Sequence, residues 1–256
     1  MGRLIDLLEI HQIEMGLLAN RPSLETVNDG SWVWRFANGF TGRANSLQAL
    51  DRDDDINFET RLKDHWRRSH QKGIVERFRV TPLTPPKIVE FLLKQGFARR
   101  GNTLVMVLSE PDGPVIAMPG QRIKEHLVTD PNWQKQILLL ENVGEKNATT
   151  FIQLLEKLPP SSVGLSLVQR DGNVIGAAYA SCQKSVGSIF ALEVVSEQRG
   201  KGFGRLLMNY LNVWLGRNGA ERVALQVVVD NKAAVGLYRA MGFEEIYRYY
   251  YLEKNS

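Results

Sequence analysis

A glycine-rich segment, Arg199-Gly200-Lys201-Gly202-Phe203-Gly204, joins an apolar stretch typical of a strand to a stretch typical of an amphipathic helix. Glycines at such a junction let backbone N–H groups converge, and the N-terminus of a helix favours negative charge. The segment therefore predicts a binding site for a phosphate group. A turn that serves only tight strand-to-helix packing is the alternative that this segment leaves open by itself.

Two common nucleotide-binding motifs do not match this segment. A Walker loop ends in Gly-Lys followed by Ser or Thr, which is absent here, and the third glycine of Gly200-x-Gly202-x-Gly204 has the wrong spacing for a dinucleotide fingerprint. The chain has a single cysteine, Cys182, which can form neither an internal disulfide nor a cysteine-based metal cluster. We expect no metal site, and we expect a cytoplasmic protein.

The elements around the glycine-rich segment follow from hydrophobic patterning. Ile189 to Val195 predicts a strand before it, and the apolar residues from Phe203 onward recur on one helical face until Asn218-Gly219. Val223 to Val229 is continuously apolar and β-branched, as in a buried strand, and a helix from Asn231 to Met241 follows. A last strand is predicted at residues 247–252.

Turn-forming residues suggest that the chain has two parts. Ser109 to Pro114 and then Pro119-Gly120 mark a boundary, which gives domains at 1–115 and 120–256. Phe91 to Phe97 ends one predicted helix in Gly-Phe before a strand at residues 103–108. Leu237 to Phe243 does the same before the last strand. This echo favours a duplicated architecture.

Composition narrows the function classes. The chain has 256 residues, 43% of them hydrophobic and 23% charged, which is ordinary for a soluble globular protein. Its formal charge of +4 comes from basic residues scattered along both halves, which argues against nucleic-acid binding but leaves an anionic ligand open. Acidic residues interrupt the apolar pattern of Met1 to Asn20, unlike a secretory signal, and no apolar run approaches membrane-spanning length.

Several of these features occur together, in order, in one known family. Leu192-Glu193-Val194, Arg199-x-x-Gly202-x-Gly204, a helix, a buried strand, and Asn231 through Tyr238 to Gly242-Phe243 together resemble the GNAT superfamily of acyl-CoA-dependent N-acetyltransferases. The resemblance covers roughly Val174 to Leu252. Trp32 to Phe36 with Gly39 to Ser46 resembles the N-terminal part of tandem GNAT proteins, whose first domain is degenerate.

The resemblance implies a fold and a set of ligand-binding residues. The expected class is α/β of the α+β type: a central mixed, mostly antiparallel, splayed sheet flanked by helices, preceded by a second, degenerate GNAT-like domain. The co-substrate is acetyl-CoA, without a metal. Backbone N–H groups of the loop would hold its pyrophosphate, the strand before the loop would pair with its pantetheine arm, and Lys201 and Arg205 would add charge. The residues implied are Leu192, Glu193, Val194, Arg199, Gly200, Lys201, Gly202, Phe203, Gly204, Arg205, Asn231 and Tyr238.

Tyr238 is the side chain to which the resemblance assigns chemistry. Family members with a tyrosine there use it to protonate the departing thiolate or to hold the sulfur by a hydrogen bond. Asn231 lies seven residues earlier, so both side chains are predicted to share one helical face. Gly236, inside the same helix, suggests that a cofactor or a neighbouring strand packs against the backbone. A tyrosine that serves only the core is the alternative.

The proton acceptor is less well defined. Some relatives carry a glutamate on the buried strand five residues before the asparagine, whereas this chain has Gln226, which cannot accept the proton. Glu193 is the predicted alternative, although a strand carboxylate can also point away from the cleft. His126 is a weaker candidate, because a lone histidine is more often structural.

The first half is expected to bind no coenzyme A, since it lacks Arg-x-x-Gly-x-Gly and has Leu92 at the position that matches Tyr238. It is predicted to form a wall of the acceptor cleft, with Trp32, Trp34 and Trp66 either lining that cleft or packed in a core. The resemblance implies direct acetyl transfer to a primary amine on a small molecule, a peptide N-terminus or a lysine. A silent CoA sensor, a larger acyl donor and a homodimer stay open; no nucleic-acid or membrane partner is expected.

Overall fold

The computed structural model describes residues 6–254, which form one eleven-stranded sheet with helices packed against it. The helices are α1 (Leu7–Asn20), α2 (Phe58–Gln71), α3 (Pro86–Lys94), α4 (Pro131–Leu140), α5 (Glu145–Glu156), α6 (Phe203–Arg217) and α7 (Lys232–Arg239). The strands are β1 (Glu25–Asp29), β2 (Trp32–Phe36), β3 (Leu47–Ala49), β4 (Arg77–Val80), β5 (Phe97–Ser109), β6 (Gln121–His126), β7 (Ser162–Gln169), β8 (Val174–Gln183), β9 (Val186–Val194), β10 (Arg222–Val228) and β11 (Glu244–Lys254).

The predicted mixed and mostly antiparallel sheet is confirmed, since the described strand pairs are antiparallel except β3 with β4 and β9 with β10. Strand β5 begins at Phe97, six residues before its predicted start at Thr103. Four of the added residues, from Arg99 to Asn102, are exposed and lack apolar side chains, so hydrophobic patterning misses this part of the strand, which pairs with β11. Strands β1 and β3 were not predicted, because β1 is mostly exposed and β3 spans only three residues.

The chain repeats one topology. The order β1-β2-β3-α2-β4-α3-β5 recurs as β7-β8-β9-α6-β10-α7-β11, and the pairing types recur with it. Each half has one parallel strand pair, β3 with β4 in the first half and β9 with β10 in the second. Gly96 and Gly242, the glycines of the Gly-Phe echo, both adopt positive φ, 81° and 86°. The echo in the sequence therefore marks equivalent positions of a duplicated fold.

The two halves exchange their last strands. The sheet order is β1-β2-β3-β4-β11-β5-β10-β9-β8-β7-β6, so β11 from the second half pairs with β4 of the first. Strand β5 from the first half pairs with β10 of the second, and β5 and β11 pair with each other at the centre. Neither half completes its own sheet without a strand from the other.

Alternate residues of β10 bury opposite faces of the sheet, as the period of two in a strand requires. Val223 and Leu225 lie in a core cluster with the apolar face of α6. Ala224 lies in another cluster with Ile13 and Leu17 of α1. Helix α1, from the start of the chain, therefore covers the second half of the sheet on the face opposite α6. Within residues 6–254, no helix combines the length and the apolar character that crossing a membrane requires.

A buried ion pair ties α1 to both halves. Glu14 is fully buried on α1, and both of its carboxylate oxygens accept from Arg79 of β4, one of them at 2.8 Å. Gln48 of β3 donates to the same carboxylate at 3.3 Å, and the Tyr247 hydroxyl of β11 donates to it as well. The guanidinium carbon of Arg79 lies 3.9 Å from the ring centroid of Tyr249.

Glu14→Gln is expected to lower the free energy of unfolding by about 3–5 kcal/mol, because it leaves Arg79 buried without a countercharge. Denaturant unfolding followed by circular dichroism measures the change. Glu90→Gln, on the exposed face of α3, is the matched control and should change stability by less than about 0.5 kcal/mol. Equal effects of the two substitutions would show that the ion pair contributes no more than a surface carboxylate.

Candidate functional site

Strands β9 and β10 part in the middle of the sheet. They pair only from Val186 to Ser188, against Arg222 to Ala224, and beyond that point no pairing joins them. Two residues of β9, Ala191 and Leu192, lie opposite Ala178 alone of β8, and Ala191 has a φ of +51°. This is a β-bulge, which bends β9 away from its neighbour. The predicted splay is confirmed, and it leaves an opening between the two strands.

A cleft of about 490 Å³ lies at this opening, a size suited to a small-molecule ligand. It is bounded by the end of β9, the glycine-rich loop, the start of α6 and the segment that begins α7. Its lining residues are Leu192, Glu193, Val194, Gln198, Arg199, Gly200, Gly202, Phe203, Gly204, Arg205, Asn231, Ala233, Ala234, Leu237 and Tyr238. Every predicted ligand-binding residue except Lys201 lines this cleft.

The glycine-rich loop has a backbone that favours glycine. Gly200 and Gly202 have φ values of 76° and 85°, and a Cβ on either would meet no described atom within 4 Å. Gly202 is the N-cap of α6, so the N–H groups of the first helical turn, which have no intrahelical partner, lie at the cleft. The Arg199 side chain folds back and donates from Nε to the carbonyl of Val194 at 2.9 Å. The arrangement suits an anion.

Tyr238 lies at the junction of two cavities. It lines the cleft and also a smaller cavity of about 90 Å³ on the far side of the parted strands, and Leu192 of β9 also borders both. Its ring centroid is 5.9 Å from that of Phe243. Burial, with a contribution from the charge of Glu193, raises the pKa of Tyr238 to about 12. The phenol is therefore protonated at neutral pH and acts as a hydrogen-bond donor.

Glu193 lines the cleft on the same side as the glycine-rich loop. Its carboxylate pairs with Arg199, with Nη2 3.4 Å from Oε2. Burial raises the pKa of Glu193, although Arg199 opposes the change. The smaller cavity, by contrast, is lined by neither a carboxylate nor a histidine of residues 6–254.

Three sequence predictions near the cleft need correction. Asn231 precedes α7 as its N-cap and accepts from the Ala234 N–H at 3.1 Å, so it lies just outside the helix in which it was predicted, and both it and Tyr238 line the cleft. A Cβ on Gly236 would meet no described atom within 4 Å, so no neighbouring strand packs there. Lys201 donates to Gln198 at 2.9 Å and does not line the cleft.

The weaker candidates lie away from the opening. His126, on β6 at the edge of the sheet, lies 3.5 Å from Asp130 and lines neither cavity. Cys182 is buried in the core cluster around α6, and burial raises the pKa of its thiol. Trp32, Trp34 and Trp66 pack together in the core of the first half and do not line the cleft, in agreement with the core alternative.

Two functional candidates were missed at the sequence level. Arg21, just after α1, and Arg43, between β2 and β3, line the smaller cavity with Tyr238 and Gln226. Gln226 accepts from the Tyr249 hydroxyl at 2.8 Å. No spacing within the sequence signals these arginines, because strand exchange and the docking of α1 bring them to the second half.

In the first half, the loop that is equivalent to the glycine-rich loop has the opposite charge. Asp51 to Asp55 precedes α2 as Arg199 to Gly204 precedes α6, and Asp51, Asp53, Asp54 and Asp55 would repel a phosphate. Leu92, at the position equivalent to Tyr238, is fully buried in the core. This charge reversal supports the expectation that the first half binds no coenzyme A.

Residues 123–243 match the model of the acetyltransferase (GNAT) family. This region belongs to that family. Its GNAT domain contains the bulged strand, the glycine-rich loop and Tyr238, and the family uses acetyl-CoA in general.

Whole-chain relatives have the same architecture. The chain is 23% identical, over 245 residues, to the "Uncharacterized N-acetyltransferase YobR" of Bacillus subtilis, covering 95% of this chain and 98% of that protein. A GCN5-related N-acetyltransferase from Kribbella flavida superimposes with a TM-score of 0.72 at 16% identity, covering 99% and 97% of the two chains. A tandem GNAT protein from the clavulanic acid biosynthesis pathway has a TM-score of 0.63 at 13% identity, covering 98% of this chain and 88% of its own. The tandem GNAT fold thus extends to the first half.

Proposed function

We propose that this protein transfers an acetyl group from acetyl-CoA to a primary amine, directly and within a ternary complex. The observation that carries the proposal is the position of Tyr238 and Leu192, which border both the larger cleft and the smaller cavity where β9 and β10 part. One opening leads to the anion-binding loop, and the other leads to the first half. A donor and an acceptor held in these two cavities would meet at Tyr238. We also propose the division into a degenerate domain, 1–115, and a catalytic domain, 120–256, joined by the exchanged strands.

The residues of the larger cleft fit acetyl-CoA. The N–H groups at the start of α6 would hold its pyrophosphate, with Arg205 adding charge. The unpaired edge of β9 at Leu192, Glu193 and Val194 would hydrogen-bond to its pantetheine arm. When bound, acetyl-CoA supplies an acetyl group that is already activated as a thioester, so no covalent intermediate with the protein is required.

Groups of the chain itself would stabilise the developing charge and transfer the protons. Transfer replaces an N–H and a C–S bond by a C–N and an S–H bond, so one proton leaves the amine and one reaches sulfur. The main-chain amide of Leu192, on the strand that parts from β10, would stabilise the oxyanion. Tyr238, with its pKa of about 12, would donate a hydrogen bond to the sulfur. Glu193 is the proposed proton acceptor, reached from the amine through water.

The proposal is tested by calorimetry with coenzyme A and by release of free thiol from acetyl-CoA. The amines to be screened are amino acids, polyamines, aminoglycosides and peptides with free N-termini. We expect saturable binding of coenzyme A and amine-dependent thiol release. Binding without turnover on every amine would favour a CoA sensor, an alternative prompted by Gln226, and absence of saturable binding would refute the proposal.

Gly202→Ala is expected to weaken coenzyme A binding on the order of tenfold, since one charge-assisted hydrogen bond is worth about 1.5–3 kcal/mol. The added methyl would strain a backbone with a φ of 85° and project into the cleft. Gly219→Ala is the matched control, because Gly219 has a φ of 88°, follows the other end of α6 and also has open space around it. Calorimetry should show weaker binding for Gly202→Ala alone; equal losses would assign the effect to backbone strain.

A further inference from the structure

Four arginines lie behind the parted strands, on the side opposite the glycine-rich loop; Arg35 and Arg79 are buried, and Arg21 and Arg43 are half-buried. Arg21 and Arg43 line the smaller cavity beside Tyr238. A narrow recess next to this cavity is lined by the same two arginines together with Arg35 and Arg79. The single carboxylate among the residues that line the cavity and the recess is that of Glu14. This side of the site therefore carries an excess of positive charge.

The one carboxylate, that of Glu14, already has a cationic partner. Both oxygens of Glu14 accept from Arg79, as described above, and that pair is fully enclosed. Arg35 is 4% exposed and donates only to uncharged oxygens, those of the Ser23 hydroxyl and of the Arg21 and Arg43 carbonyls. Burial, reinforced by the charges of Arg21 and Arg79, lowers the pKa of Arg35 to about 9. The surroundings of Arg35 are thus already too positive for its own charge.

Arg43 faces the cavity from a fixed position. Its Nε donates to the Tyr249 hydroxyl at 3.0 Å, and that hydroxyl donates to Gln226 at 2.8 Å. Burial alone would raise the pKa of Tyr249, yet the charges of Arg43 and Arg79 lower it. The charges of Arg43 and Arg79, together with hydrogen bonds to the phenol, therefore offset its desolvation.

Arg21 is the least satisfied of the four. Within residues 6–254 its guanidinium makes neither a hydrogen bond nor an ion pair with protein, and the guanidinium carbon lies 5.4 Å from the ring centroid of Phe190. Burial lowers the pKa of Arg21. Glu141 acts on Arg21 and Arg43 only at a distance and forms an ion pair with neither. A guanidinium held partly out of water without a countercharge is unfavourable, so this one points to an anion supplied from outside the chain.

We propose that the acceptor is a small primary amine that carries a carboxylate or a phosphate, and that Arg21 and Arg43 bind this anionic group. The planar guanidinium matches both anions with paired N–H donors. The cavity is small, about 90 Å³, so we expect the anion and the amine to lie close together in the acceptor. The inference rests on the proposed function, because it places the amine beside Tyr238 for transfer.

Paired acceptors test the proposal by kinetics. Each amino acid is compared with its carboxamide, and O-phosphoethanolamine with ethanolamine, with spermidine as a cationic amine. We expect kcat/KM to be at least tenfold higher for the anionic member of a pair, and the pair that responds separates carboxylate from phosphate. Arg21→Gln should abolish the preference and Arg21→Lys should restore part of it. Equal or faster turnover of the neutral or cationic amines would overturn the proposal while leaving acetyl transfer itself intact.

A binding experiment decides the matter even if none of these amines is acetylated. N-acetylglycine, N-acetylglycinamide and inorganic phosphate are titrated into the full chain at constant ionic strength. We expect one of the two anions to bind at least tenfold more tightly than the neutral amide, and Arg21→Gln to remove that difference. Arg67→Gln, at an exposed position of α2, should leave it unchanged. Equal affinities for the three ligands, or a difference that survives Arg21→Gln, would refute an anion site.

Coenzyme A binding, measured on the same variants, separates the two proposals. Arg21 does not line the larger cleft, so Arg21→Gln should bind coenzyme A like the unmodified chain. Failure of the unmodified chain to bind coenzyme A would refute acetyl transfer, and the titration with anions would still decide whether Arg21 binds one.

Discussion

Removal of residues 1–113 is expected to leave residues 114–256 insoluble and unable to bind coenzyme A. The deletion removes β5, which lies between β10 and β11 and pairs with both. Leu104 and Met106 would be lost from the core cluster around α6, and Val105 and Val107 from the cluster around α1. Strand β10 would be left with an open edge, and β11 would lose both of its partners, β4 and β5, which favours aggregation. Expression, size-exclusion chromatography and calorimetry with coenzyme A measure the outcome.

Co-expression of residues 1–113 with residues 114–256 is the control for the cut itself. The break falls in an exposed loop between Gly113 and Pro114, so the fragments should assemble through the exchanged strands and recover coenzyme A binding. A soluble 114–256 fragment with the affinity of the full chain would contradict this prediction and show that the second half folds without β5.

Tyr238→Phe is expected to lower kcat by a factor on the order of 10² and to leave coenzyme A affinity nearly unchanged, because only the hydrogen bond to the departing sulfur is lost. The ring remains, so packing against Phe243 is kept. The pKa of about 12 predicts that the phenol itself causes no loss of activity as pH rises through the neutral range. Steady-state kinetics on an accepted amine and calorimetry with coenzyme A measure the two effects.

Tyr210→Phe is the matched control for this substitution. Tyr210 also has a pKa raised to about 12 by burial and by Glu125, to which its hydroxyl donates at 2.7 Å. It lies on α6 but lines neither cavity. Its loss should leave kcat within about twofold of the unmodified chain, as for surface substitutions in general. An unaltered kcat in Tyr238→Phe would remove that phenol from the proposed role.

Elements with strong local patterning were predictable from the sequence. Helix α6 has an apolar face over four turns, and β10 is apolar apart from Arg222 and Gln226, so both were placed within a residue or two. Strand β5 was placed too short and β1 was missed, because their exposed polar residues become strand only by pairing with a neighbour. The local preference of a segment for strand does not predict a pairing partner that lies far away in the chain.

The proposed donor side of the site, which is the larger cleft, was predictable from the sequence itself. Glycines 200 and 202, the helix that follows them and Tyr238 on the next helix lie within about forty consecutive residues, and local backbone geometry is enough to form an anion-binding loop. The lack of Arg-x-x-Gly-x-Gly in the first half was also visible in the sequence, whereas the equivalence of Asp51 to Asp55 with the glycine-rich loop followed only from the repeated topology.

The proposed acceptor side, which is the smaller cavity, was decided by tertiary structure. Arg21 and Arg43 are separated from Tyr238 by about two hundred residues, and they meet it because α1 packs on the second half and the halves exchange β5 and β11. The positions of these arginines in the sequence do not predict that contact. Their charges matter for ligand binding only in the folded protein, because partial burial there weakens screening by water and makes a missing countercharge unfavourable.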